Sequence, residues 1–284
     1  MSEENKIRDA ADAIKGVVEA VPVYQDVVQP AAKEVGTALQ TVAKTIHIVL
    51  APVSALVWGY DKLKDFLSTR VADKLKNVPP ECIATPKPNV AGPALEALRY
   101  TGHEESLREM YANLLAASMD TRTAQGAHPA FVEIIKQLTP DEARLLTLFV
   151  VHRPFPLISV RRVYKVSTAT ETGGYDLLTN FSLLGWEAGC DYPEETPTYL
   201  DNLCRLGLAE IPSMYRYTTP YAYDALENHP KVQELKDAFE SDDKFRLDVS
   251  RKGLRITHLG RLFCNTCVVS HEDKGLPVAS SPQA

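Results

Sequence analysis

The chain has 284 residues, 45% of them hydrophobic and 24% charged, which suits a globular protein of about two domains and excludes wholesale disorder. Thirty-one basic against 37 acidic side chains give a net charge of -6, so the chain as a whole is no nucleic-acid coat, although one local basic patch is compatible with that sum. Five cysteines, an odd number, point to a reducing compartment. Met1-Ser2-Glu3-Glu4 lacks the basic and apolar stretches of a secretory signal. The expectation is a cytoplasmic protein, at most peripheral to the inner membrane.

Ile7, Ala11, Ile14, Val18 and Val21 recur at helical spacing between charged residues, and Pro22 interrupts them. Pro30 opens a fresh helix. From Val35 to Tyr60 the only formal charge is Lys44, and Thr45–Tyr60 carries none. The wider window is long enough to cross a bilayer, whereas its uncharged core falls short of the ~20 residues needed. Pro52 and Gly59 interrupt it, and Trp58 and Tyr60 close it beside a charged flank, as at a membrane interface or at the end of a buried helix. A segment apolar on nearly all sides needs a cover. Neighbouring helices, a second copy of the chain or a membrane would supply it, through Ile46, Ile48, Val49, Leu50, Val53, Leu56, Val57 and Trp58. Leu63, Phe66, Leu67, Val71 and Leu75 continue the helical pattern, which makes residues 1–78 a helical N-terminal region around the apolar segment 35–60. Pro79, Pro80, Pro86, Pro88 and Pro93 then favour extended backbone, so 79–92 reads as a linker.

Residues 93–138 read as a helical connector, with Leu95, Leu98, Leu107, Met110, Leu114 and Leu115 on either side of Gly102 and a short helix to Leu138. Thr139-Pro140-Asp141-Glu142 is a capping box opening the next helix. A helix from Pro197 to Leu206 is stopped by Gly207, and Leu208–Ile211 reads as a strand. Phe245, Leu247 and Val249 alternate with polar residues, Arg251-Lys252-Gly253 reads as a turn, and Leu254 with Ile256 would complete a hairpin before a helix capped by Thr257. That order predicts a winged-helix-like α+β module over 139–270, with 271–284 as a tail. The fold class expected is therefore mainly α: a helical N-terminal region with a hydrophobic central segment, plus this C-terminal module.

No GxSxG, GxxxxGK[ST], HExxH or strand-borne GxGxxG is present, so neither an enzyme nor a cofactor is expected. Cys264-x-x-Cys267-x-x-x-His271 has zinc-like spacing but needs a fourth ligand, for which Cys204, His258 and Cys190 are the plausible suppliers, and cysteines one turn apart on a helix also serve as small buried hydrophobes. Six basic residues lie between Lys244 and Arg261 against Asp248 alone, a local sum of +5. Lys244, Arg246, Arg251, Lys252 and Arg255 would contact phosphates if the wing bound nucleic acid, with Tyr215, Tyr217, Tyr221 and Tyr223 near enough to stack on bases. Against this, Glu194 and Glu195 lead into the presumed reading helix, which offers only Arg205. A protein partner is the favoured alternative.

Tyr24-x-Asp26-x-x-Gln29-Pro30-Ala31-Ala32-Lys33-Glu34-x-Gly36, followed by the apolar run ending in Trp58-Gly59-Tyr60, resembles the N-terminal signature of the Abi-alpha family of bacterial abortive-infection proteins. Tyr111–Ala116, His128–Val132, Gln137–Ala143 and Asn202-Leu203-x-x-Leu206-Gly207-Leu208 resemble later parts of it, so the likeness covers most of positions 24–265. It implies phage defence, in which an infected cell stops growing or dies before phage is released, and it carries over no catalytic residues. The function expected is non-enzymatic defence. The C-terminal half would sense a protein partner or phage component, and the N-terminal apolar helices would act by membrane association or homo-oligomerisation. The alternative is a nucleic-acid-binding regulator working through the basic wing.

Overall fold

The computed structural model describes residues 58–151, 153–165, 173–240 and 242–274. The first expected helices and the contact residues Ile46, Ile48, Val49, Leu50, Val53, Leu56 and Val57 lie outside the described residues. The fold is mixed α+β, helices with small antiparallel sheets. The chain divides into two compact units, Met1–Lys136 with Val269–Ala284, and Gln137–Val268.

In the first unit, Leu63, Phe66, Leu67, Val71 and Leu75 are all buried, as their helical spacing requires. They lie on α1 (Tyr60–Phe66), a π-helical turn over Leu67–Val71, and α2 (Ala72–Leu75). The proline-rich stretch expected as a linker is folded. Val78 and Cys82 are buried, the Ala84 N–H donates to the Met119 carbonyl at 2.8 Å, and the Thr121 N–H donates to the Cys82 carbonyl at 2.8 Å. Helix α3 (Pro88–Thr101) starts with proline in its first turn and runs through Pro93. The first proline costs no hydrogen bond there. The second is carried because Val90, Ala91, Ala94, Leu95 and Leu98 bury a full apolar face.

Helix α4 (Glu105–Met119) is central: every residue from Met110 to Met119 is buried. Around it pack the π turn, α2, α3, α5 (Ala130–Lys136) and a 3-10 turn, His271–Lys274. Lys74 and Arg70 reach Glu109 of α4 at 3.0 and 3.7 Å. The residue after α4, Asp120, is fully buried. It accepts hydrogen bonds from the Arg122 backbone N–H (3.0 Å), Nε (2.9 Å) and Nη2 (2.7 Å), and His271 Nε2 lies 3.1 Å from its Oδ2. Burial alone would raise this carboxyl; the His271 and Arg122 hydrogen bonds outweigh it and hold the pKa well below the ordinary range. The His271 N–H donates to Asn113 Oδ1 at 3.3 Å and Lys76 pairs with Glu272 at 2.9 Å. Residues 271–274, expected to begin a tail, are thus built into the first unit.

The second unit opens on α6 (Pro140–Leu148) with the expected capping box complete. Glu142 also accepts a hydrogen bond from Asn202 Nδ2 at 2.7 Å, which ties α6 to α8 (Thr196–Arg205). Asp141, nearly buried, accepts from the Asp191 and Tyr192 amides at 2.9 and 3.0 Å, from the Tyr199 hydroxyl at 2.9 Å and from Arg144. Burial pushes its pKa up, and these donors more than reverse that. Gly207, at φ +74°, ends α8 as a left-handed cap.

A three-stranded antiparallel sheet joins β1 (Pro156–Tyr164), β2 (Gly174–Phe181) and β4 (Phe245–Gly253) in the order β2-β1-β4. Neither β1 nor β2 is expected from the sequence pattern. Between β2 and β4 come α7 (Leu184–Glu187), α8, β3 (Ala209–Glu210), α9 (Asp224–Glu227) and α10 (Pro230–Glu240). Ile158, Val160, Phe181, Tyr223, Leu226 and Val232 form the core between the sheet and α9–α10, with Leu247 and Val249 packed against it.

The expected hairpin is absent. Arg251, Lys252 and Gly253 make no turn; they end β4, opposite Ile158, Leu157 and Pro156. β5 (Arg255–Ile256) pairs instead with β3, closing over everything from 211 to 254. The alternating face of β4 finds its apolar cover on β1's core face, where a local hairpin would have left it exposed. Helix α11 (His258–Phe263) follows, capped by Thr257, whose Oγ1 accepts from the Gly260 N–H at 2.9 Å.

A β-carbon at Gly260 would overlap the Leu208 carbonyl oxygen, whereas one at Gly59 would meet nothing within 4 Å. Gly260→Ala is expected to cost about 3 kcal/mol and Gly59→Ala less than about 0.5 kcal/mol, read from urea unfolding. A depressed carboxyl pKa means that Asp120 stabilises the folded state above its unfolded value and loses that contribution as pH falls through about 4 and below. Between pH 6 and pH 3 the urea midpoint of the wild type should therefore fall further than that of Asp120→Asn.

Candidate functional site

The irregular segment between β3 and α9, residues 211–223, is long for a connection within a compact unit, and such loops are commonly functional. Two tyrosines fasten it to the sheet. The Tyr217 N–H donates to the Tyr223 hydroxyl at 2.9 Å, which in turn donates to the Lys252 carbonyl at 2.9 Å. The Tyr217 hydroxyl donates to the Leu254 carbonyl at 2.7 Å, and burial pushes its pKa up to about 12. The residue between those carbonyls is Gly253, where a β-carbon would come within 2.8 Å of the Tyr217 ring and 3.0 Å of the Tyr215 ring. That ring contact is what requires glycine there.

The arginines of the expected wing meet these rings. Arg251 lies 5.3 Å from the Tyr223 centroid and holds Glu227 bidentately at 2.5 and 2.9 Å; Arg251 in turn depresses the Glu227 pKa. Arg255 lies 5.8 Å from the Tyr215 centroid and pairs with Glu210 at 2.7 Å. Lys252 donates to Asn180 at 3.2 Å. Lys244 and Arg246 stand at the other end of β4, near Tyr164 and Val163 of β1. The five residues considered for nucleic acid are therefore spread along a strand and beyond it, and two are already ion-paired.

Two cavities flank Tyr217. One, about 460 Å³ and open to solvent, is lined by the 216–224 loop and Arg251. Tyr221 on that loop is 83% exposed and has φ +64°, a conformation costly for a residue with a side chain of this size. The other, about 240 Å³, lies between Phe155, Tyr215, Leu254 and three arginines, Arg153, Arg255 and Arg261. The tyrosines were visible in the sequence as potential stacking rings. Arg153 has no other Lys or Arg close to it ahead of β1, so no local charge pattern marks it.

The zinc-like trio takes up other partners. Cys264 and Cys267 are buried in a π-helical turn of the second unit, where the Cys264 thiol donates to the Leu146 carbonyl at 3.9 Å. His271 belongs to the first unit and faces Asp120. Among the described residues no group of three or more His, Cys, Asp and Glu side chains is placed to hold a metal ion. Burial raises the Cys264 thiol to about 12 and those of Cys190 and Cys204 to about 11. Trp58, at the end of the apolar segment, is half-buried. Its N–H donates to the Arg99 carbonyl at 2.8 Å and its ring packs on Phe66, 6.0 Å between centroids. Among the described residues no helix is long and apolar enough to cross a membrane.

A family model described as Abortive infection alpha matches residues 59–267. The chain belongs to that family. No curated protein matches it. A solved structure, that of an uncharacterized protein from the hydrocarbon-degrading marine bacterium Alcanivorax borkumensis SK2, is 23% identical to this chain. It is matched over 49% of this chain and 92% of its own, with a TM-score of 0.32, too low to carry an argument. In this Abortive infection alpha protein the motif residues have structural work: Asn113 receives His271, while Asp141, Glu142 and Asn202 join α6, α8 and the 190–192 turn.

The loop's strain and its fastening separate in a stability measurement. Tyr223→Phe strands the Tyr217 N–H and the Lys252 carbonyl and should cost about 1–3 kcal/mol. Tyr221→Gly relieves the positive φ and should leave stability unchanged or raise it by up to about 1 kcal/mol. Urea unfolding of both variants checks the contrast.

Proposed function

We propose that this protein acts in abortive-infection defence without catalysing a reaction, the second unit sensing a partner and the N-terminal apolar segment delivering the effect. Family membership supports the biological role. The observation that carries the division of labour is the contrast between the two ends of the chain. Val35–Tyr60 has one formal charge in its whole length, whereas the second unit offers a ring-and-guanidinium loop with two open cavities. Thiols held protonated by burial favour a role outside nucleophilic chemistry. We read α6, α8, the β3–β5 ladder and α11 as a winged-helix-like core in which the excursion 211–254 replaces the wing. A protein or small-molecule partner suits that surface better than a nucleic-acid backbone, since Glu227 holds Arg251 bidentately and Lys244 and Arg246 stand at the far end of β4.

The effector acts by entering a membrane or by assembling copies of the chain. Flotation and dye leakage with vesicles of phosphatidylethanolamine and phosphatidylglycerol, run beside sedimentation of the free protein, separate the two. Ile48→Asp with Leu56→Asp should abolish vesicle binding or self-assembly, and with it protection of cells against phage. A wild-type chain that neither floats nor assembles, or a double variant that still protects, would sink the effector assignment.

A further inference from the structure

The smaller cavity has a lining with two chemistries. Phe155, Tyr215 and Leu254 give it apolar and aromatic walls, and Arg153, Arg255 and Arg261 bring three guanidiniums to the same space. Each cation is held in place. Arg153 lies 5.0 Å from the Phe155 centroid, with Nη2 2.7 Å from Glu187 Oε1. Arg255 lies over Tyr215 and pairs with Glu210. Arg261 Nη1 donates to the Ile256 carbonyl at 2.9 Å. Two carboxylates against three guanidiniums leave the cavity cationic. The Arg255–Glu210 pair is about half exposed on both sides, so it is weak and readily exchanged for a better anion.

Convergent guanidiniums call for phosphate or carboxylate oxygens. A bare inorganic anion would have no use for an aromatic wall, and an uncharged ring none for three cations. The cavity, about 240 Å³, is about half open to solvent, so it takes one nucleotide unit and leaves part of it in water. Tyr215 and Tyr217 meet edge to face, 5.4 Å between centroids at 69°, and both rings line the cavity. We infer that this cavity binds a single nucleoside monophosphate, its base against the Tyr215–Phe155 wall and its phosphate among Arg153, Arg255 and Arg261. The inference rests on the second unit being the sensing part of the protein and names the chemistry that it senses.

Calorimetric titration of the full chain with AMP, adenosine, inorganic phosphate and a short oligothymidylate tests it. AMP should bind saturably and more tightly than adenosine or phosphate. Arg255→Ala and Arg261→Ala should each weaken it by about tenfold or more, and Tyr215→Ala should erase the preference for AMP over phosphate. Glu210→Gln frees Arg255 and should tighten AMP by about twofold to fivefold, a gain that no loss of folding would produce. Absence of saturation up to about 1 mM, an affinity indifferent to both arginine variants, or phosphate binding as tightly as AMP would overturn the inference. So would tighter, steeply salt-dependent binding of the oligonucleotide, which would assign the cavity to a strand. Arginine variants that bind no AMP yet still protect cells against phage would overturn it alone, leaving the effector assignment to its own vesicle and sedimentation tests.

Discussion

Taking a carboxylate out of water costs several kcal/mol unless donors and a counter-charge answer it, and each unit of this protein is organised around one such group. Asp120 is answered by Arg122 from its own turn and by His271 from far along the chain. Asp141 is answered by two backbone amides, a tyrosine hydroxyl and Arg144. In both cases some of the donors come from segments that have no regular ladder to hold them: the turn at Arg122, the 190–192 turn and the short 3-10 turn at His271. The buried charge therefore fixes loops and a chain end that apolar packing alone would leave loosely specified. Removing either partner strands the other, so these are points where the fold tolerates little change.

What the sequence makes legible follows from how local the chemistry is. The Thr139–Glu142 box, the Gly207 stop and the Thr257 cap each depend on residues within four positions, and each is found as expected. The sheet is different. Leu157, Ile158, Ser159 and Val160 are buried in succession, because both faces of β1 are covered at that point, so the alternation that marks a half-exposed strand is missing. β4 does alternate, but its partner lies far upstream, and a pattern on one strand says nothing about which strand answers it. The hairpin expected at Arg251–Gly253 failed for that reason. Helix α10 is anchored through Val232 and Leu235 on the sheet core.

The candidate site shows the same divide. Tyrosines at 215, 217 and 223 stand out in the sequence, yet their use as fasteners of a loop depends on the Lys252 and Leu254 carbonyls. The +5 sum over the expected wing is real as arithmetic and misleading as a field. Glu227 and Glu210, both outside the window counted, neutralise two of its members. The positive focus that the fold does build draws Arg255 and Arg261 together with Arg153, more than a hundred positions upstream of Arg261, and sets two carboxylates against the three, which no local charge count would reveal.

The chain leaves the first unit after Lys136 and returns to it at Val269, and His271 seats on Asp120 only on that return. During synthesis the ribosome releases residues in order, and compact units fold as they emerge. The whole of the second unit is therefore exposed and free to fold while the first still lacks the His271 side chain that meets its buried aspartate. The part of the protein that carries the apolar segment is the last to be completed. A nascent chain is thus committed to its second unit before its first unit closes, and a message cut short before codon 271 yields the former without a finished form of the latter.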